Sequence, residues 1–246
     1  MRNYDRLNAA GDSLSNRAYQ QIRDEILCGE LSMGGILSRR RLAKRLNMSF
    51  LPITEALKCL ETEGLVESRP RIGTRVRIPS EQNIRDSNVI REALESQAAR
   101  LCAQYITGEE KKQLQTRARH LDELHKMSAQ EPEDSRFLFS MHTYHMQFHM
   151  QIAELARCPG LRRAIENEQV LIFNWLYDMA ARRRTHPEEF HSTLAEALCA
   201  GDPLLADTAM RAHVRYGLDQ VLERLAKYQS ADEWRLKSRN GERISH

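Results

Sequence analysis

Several signatures of other protein classes are missing from this chain of 246 residues. No run approaches the roughly 18 apolar residues that would span a bilayer, and the N-terminus has no apolar signal region, so neither a membrane protein nor a secreted one is expected. The five cysteines, Cys28, Cys59, Cys102, Cys158 and Cys199, include no Cys-x-x-Cys pair and fall mostly within apolar helical patterns. They read as buried free thiols in a reducing compartment, the cytoplasm. There is no His-Glu-x-x-His, no glycine-rich phosphate loop, and no Ser or Cys nucleophile in a recognisable setting, so the common hydrolytic and nucleotide-cleaving machineries are not expected.

What is present is unevenly distributed. The formal net charge is +3, but residues 1–80 carry 14 basic and 9 acidic side chains, which leaves the remainder slightly acidic. From Ser38 to Ile78 alone there are ten Lys and Arg against four Glu. Ser38 reads as the cap of a helix with Leu42, Ala43 and Leu46 on its inner face and Arg39, Arg40, Arg41, Lys44 and Arg45 outside. Asn47 makes a turn, and a second helix starts at Ser49, with Pro52 in its first turn, where a missing amide hydrogen costs nothing. Ile53, Ala56, Leu57 and Leu60 form its inward stripe, leaving Phe50, Leu51, Thr54 and Lys58 outside. Leu65 to Ser68 and Thr74 to Ile78 read as two strands around a turn with Pro70 and Gly73, a wing bearing Arg69 and Arg71. A basic helix-turn-helix with a wing suits nucleic acid; a structural helix pair with a solvated basic face is the other reading.

The run LAKRLNMSFLPITEALKCLETEGLVESRPRIGTRV resembles, without gaps, the winged-helix domain of the GntR transcription regulators. The resemblance implies a double-stranded DNA operator met by Arg39, Arg40, Arg41, Lys44, Arg45, Ser49, Phe50, Leu51, Thr54, Lys58, Arg69, Arg71, Gly73 and Thr74, with the wing near Arg71 and Gly73 approaching the minor groove. The family usually has Arg, Thr and Arg where this chain has Phe50, Leu51 and Thr54. That departure leaves the fold intact but alters base reading: Phe50 and Leu51 could meet a thymine methyl, or Phe50 could pack against the scaffold.

The expected organisation is a flexible arm over 1–13, a winged helix-turn-helix over 14–78 whose supporting helix runs from Ser15 to Cys28, a linker over 79–83, an all-helical domain over 84–227, and a polar tail over 228–246. The fold class is mainly α. In the second domain apolar positions recur only at helical spacing: Ile84 to Tyr105, Glu109 to Met127, a long helix through Ala156, Leu161 to Arg183, one from near Pro187 to Ala200, and Pro203 to Lys227. They make a bundle of six or seven helices.

Four histidines stand out in that bundle. His145 and His149 are four apart and project from one helix face, while His191 and His213 lie on the last two helices; imidazoles from three helices can converge on one transition metal, though each is also an ordinary core or surface histidine. The segments IREALESQAARLCA, HMQFHMQI and EFHSTLAEALCAGDPLLADTAMRAHV resemble the FCD-type effector domain of the FadR-like GntR regulators. Many members bind a metal there through an Asp, a His four residues on, and two later His. His149, His191 and His213 match the histidines, and His145 stands where the family has Asp. An all-imidazole set would favour Zn or Ni over harder ions. His142, one turn earlier, reads as solvent-exposed, with a substitute ligand as the other reading. By the same resemblance Arg91 faces the effector cavity and would clamp a small carboxylate; its other reading is a surface salt bridge with Glu95.

The expected function is therefore a homodimeric, DNA-binding transcription regulator with a metal-containing, carboxylate-sensing helical domain. The alternatives are a metal-dependent hydrolase and a ligand-free nucleic-acid-binding scaffold.

Overall fold

The computed structural model describes residues 13–69, 73–130, 135–167, 187–216, 218–219, 221–223 and 225–226. Residues 1–12 of the expected arm over 1–13, the wing tip with Arg71, residues 168–183 of the helix expected to reach Arg183, and the polar tail lie outside the described residues. The chain divides into two compact units, at Ile78 and Pro79.

In the first unit α1 (Leu14–Leu27) is capped by Ser13, and its Ala18, Tyr19, Ile22 and Ile26 are buried. Ser38 caps α2 (Arg39–Leu46) by accepting from the Arg41 amide, and Asn47 ends it in the left-handed region at φ 52°. The next helix, α3 (Phe50–Thr62), buries Pro52, Ile53, Ala56, Leu57 and Leu60, the expected stripe. The strands are β1 (Ile36–Leu37), β2 (Val66–Arg69) and β3 (Gly73–Val76), antiparallel in the order β1-β3-β2. The sequence indicated only two of them; β1 pairs Ile36 with Arg75 and Leu37 with Thr74.

The second unit is helical throughout its described residues. Its first helix, α4 (Glu81–Tyr105), starts three residues earlier than expected, inside the stretch assigned to a linker, because Ser80 and Asn83 form a reciprocal capping box. There follow α5 (Gly108–Gln130), α6 (Ser135–Leu155), α7 (Pro159–Asn167), α8 (Phe190–Cys199) and α9 (Pro203–Arg215). Pro159 opens α7 instead of merely preceding it, the first helical position being where proline is tolerated. The last helix, expected to run unbroken to Lys227, is interrupted at Tyr216, whose ψ of 129° leaves the helical region; residues 218–219, 221–223 and 225–226 are helical again.

Ala99 and Cys102 of α4, Leu114, Ala118 and Leu121 of α5, Phe148 and Ile152 of α6, Leu194 and Leu198 of α8 and Met210 of α9 form one buried core. Glu92 of α4 fastens α9 to it from outside, with Arg211 at 2.8 Å and Arg215 at 2.6 Å. The same helices also bring their histidines together.

Candidate metal centre and nucleic-acid interface

On the first unit, Arg39, Arg40, Arg41, Lys44 and Arg45 are all exposed along α2. Arg45 forms an ion pair with Glu25, and Arg41 donates to the Ile36 carbonyl at 3.4 Å. Ser49 precedes α3 without a side-chain cap bond. Beyond it Phe50 is 59% exposed and Leu51 67%, so neither packs against the scaffold. Thr54 and Lys58 follow on the same open side, with the Thr54 hydroxyl donating to the Phe50 carbonyl at 2.8 Å.

The wing is less available than expected. Arg69 and Gly73 are exposed, Arg69 lying 3.2 Å from Glu67. Thr74 is a correction: it is buried, paired with Leu37 and Ser68 across the sheet, its hydroxyl 3.2 Å from that of Ser68. The third strand, missed in the sequence, pairs beside it. Arg75 is buried too, its Nε donating to Glu67 at 2.6 Å.

In the second unit the four singled-out histidines come together and all are buried. His145 and His149 flank Phe148 on α6, with their Nε2 atoms 2.9 Å apart. The His191 ring, from α8, lies 5.0 Å from that of His145, and the His213 ring, from α9, lies 5.2 Å from those of His149 and His191. Phe190 stacks on His213 at 4.3 Å. Burial first, then the neighbouring imidazoles, holds the His145 pKa well below the ordinary histidine value, so its ring is neutral and has a lone pair to give.

Carboxylates lie beside two of these rings. Glu95 Oε2 is 2.6 Å from His149 Nδ1, and Asp122 Oδ1 is 2.8 Å from His191 Nδ1. A carboxylate only accepts, so the His191 Nδ1 carries the proton of its bond to Asp122 and its Nε2 carries the lone pair, whereas the His149 Nδ1 lies at ion-pair distance from Glu95 without the alignment of a hydrogen bond. Burial alone would raise the Glu95 carboxyl; the Arg91 guanidinium and the His149 ring outweigh it and hold the acid at about 2. For Asp122 burial is likewise outweighed, here by hydrogen bonds from His191 and Ser192, and the acid sits at about 2. Arg91 pairs with Glu95 at 2.8 Å, the partner the alternative reading required, but the pair is buried and leads directly to His149.

His125, which sequence reasoning missed, joins the cluster from α5. Its ring stacks on His191 with 4.9 Å between centroids and 14° between planes. Ligand atoms of His125, His145 and His191 lie within 4.8 Å of one another, as do those of His145, His149 and His213. The available signal was its register: Leu114, Ala118, Leu121 and His125 continue one inward stripe. His142, expected to face solvent, is buried.

The donor set fits a borderline divalent ion. Nitrogens bound at about 2.1 Å stand roughly 3–4 Å apart, against 2.9 Å for the His145–His149 pair and at most 4.8 Å within each set of three, and neutral imidazole is a common ligand of zinc and nickel.

Residues 14–76 match the model of the bacterial regulatory proteins of the gntR family, and residues 86–216 match the FCD domain. The "Probable D-xylose utilization operon transcriptional repressor" of Paenarthrobacter nicotinovorans is 31% identical over 205 residues, covering 79% of this chain and 84% of that one. The Nta operon transcriptional regulator of Aminobacter aminovorans is 28% identical over 192 residues, covering 77% and 86%. Among solved structures, McbR/YncC of E. coli superposes with a TM-score of 0.63 at 21% identity over 86% of this chain and 98% of that one, a likeness of fold.

Proposed function

Because this chain belongs to the GntR family of bacterial transcription regulators, with an FCD domain behind its winged helix-turn-helix, we propose that its helical unit holds a divalent transition ion and a small organic acid that together set its affinity for a DNA operator. The family and the relatives named are regulators of transcription, not enzymes. The observation that carries the finer reading is the convergence of four buried imidazoles from three helices and a half-buried one from a fourth, two of them with a carboxylate beside Nδ1.

Zinc or nickel is the ion this donor set favours. When bound with a coordination position open, it supplies a Lewis-acid partner for a carboxylate. Its ligands would come from among His145, His149, His191 and His213, two of which have a carboxylate beside Nδ1. Arg91, buried beside Glu95, brings a guanidinium to the same region and suits the effector's carboxylate. The winged unit, as one half of a homodimer in the cytoplasm, would meet a palindromic operator through α2, α3 and the wing. The effector need only bind one arrangement of the dimer better than another, by a few kcal/mol, to shift operator occupancy. Among the described residues no helix is long and apolar enough to cross a membrane.

Elemental analysis of the purified protein tests this, alongside His149→Ala/His191→Ala. The expected result is about one Zn or Ni per chain, lost in the double variant, followed by carboxylates that change DNA binding in a gel-shift screen. No metal in either protein would overturn the coordination reading.

A further inference from the structure

The buried histidines do not sort into one set of four. Two sets of three have the spacing that one ion needs: His145, His149 and His213, all buried, and His125, His145 and His191, of which His125 is half-buried. Only His145 belongs to both. Each set also has its own ring beside a carboxylate, His149 by Glu95 in the first and His191 by Asp122 in the second. A carboxylate set against the Nδ1 of an imidazole is a common support of metal ligands, and here one lies beside a ring of each set, hydrogen-bonded at His191 and at ion-pair distance at His149.

The geometry points to two alternative positions for one divalent transition ion, sharing His145: a buried position at His145, His149 and His213, and a half-buried one at His125, His145 and His191. This deepens the metal reading above and rests on it. A single ion is implied, because two dications a few ångströms apart with no anion between them repel strongly in a buried site. The positions tie different helices together. In the buried one the ion links α6 to α9; in the half-buried one it links α5, α6 and α8. His145, the residue that departs from the family's aspartate, is the hinge of the arrangement, and His125 is a ligand of the second position.

Cobalt(II) is a suitable probe, since its visible absorption reports the number and geometry of its ligands. The metal-free full chain would be titrated with cobalt as wild type, as His149→Ala/His213→Ala, and as that pair combined with His125→Phe, which keeps the stack on His191 and removes the donor nitrogen. The alanine pair is expected to bind cobalt still, with a band different from wild type, and adding His125→Phe should weaken that binding by at least about tenfold. No cobalt binding by the alanine pair, or equal binding with and without His125→Phe, would overturn the second position. No uptake by the wild type would instead overturn the metal reading beneath it. Far-UV circular dichroism checks that helix content is unchanged; if the alanine pair loses helix, His149→Asn/His213→Asn takes its place.

Discussion

Burial pushes the Glu63 carboxyl above its ordinary range, although it accepts from the Tyr19 hydroxyl at 2.7 Å and Arg23 lies near enough to oppose the shift. The folded state therefore binds this proton more tightly than the unfolded chain does. Its contribution to stability is complete below the unfolded pKa and is lost as pH rises through the folded one. Glu63→Gln keeps an acceptor for Tyr19 and removes the cost of ionisation. The thermal midpoint of the variant should exceed that of the wild type at pH 7 and converge with it near about pH 4, in melts followed by circular dichroism; a lower midpoint at pH 7 would show that the carboxylate is doing more than accepting one bond. Single residues were legible in the sequence where a neighbour in the chain gave them meaning. His145 and His149 declared themselves by their spacing of four. His125 has no such partner: its neighbours His145 and His191 come from α6 and α8, and only packing brings them together. Asp122 is hidden for the same reason, its partners His191 and Ser192 lying about 70 positions on.

Elements were legible to the extent that their ends are locally determined. Ser38 and Asn47 bracket α2, and Pro52 with the Ile53, Ala56, Leu57 and Leu60 stripe defines α3, because caps and periodicity are properties of a few consecutive residues. Asn47→Ala is accordingly expected to cost about 1 kcal/mol, since a left-handed backbone penalises a Cβ that no local hydrogen bond compensates, while Asn47→Gly should be nearly neutral; urea titration distinguishes them. At the head of α9, Asp202 accepts from the amides of Leu204 and Leu205, and Asp202→Ala should cost about 1 kcal/mol in the same assay, destabilising the helix that carries His213. The start of α8 could not be read this way. Glu189 offers it no cap bond, and Asp122 reaches across from α5 to accept from the first-turn amides of His191 and Ser192. The two-residue β1 was equally invisible, too short to show a period of two and formed only because β3 has an edge to pair with.

For the molecule as a whole, the uneven charge is a statement about partners. A chain that neutralises phosphates through Arg40 and Lys44 should lose affinity for a random-sequence duplex linearly in log salt, and Arg40→Ala/Lys44→Ala should reduce that slope by roughly 2 per chain when measured by fluorescence anisotropy. Phe50 and Leu51, open and uncharged, do not enter that slope at all, so any contribution they make would appear as sequence preference. One feature of the helical unit bears on conditions rather than on partners. Among the described residues the candidate ligand atoms are all ring nitrogens, and no cysteine joins them. Cys102, buried in the adjoining core, is kept as a thiol by that burial, which pushes it up to about 12. Peroxide attacks thiolate far more readily than thiol, and imidazole nitrogens are not on that path. A centre built this way would keep its ion through oxidative stress that strips zinc from thiolate sites, and so would report the supply of its metal and acid without confusing either with the redox state of the cell.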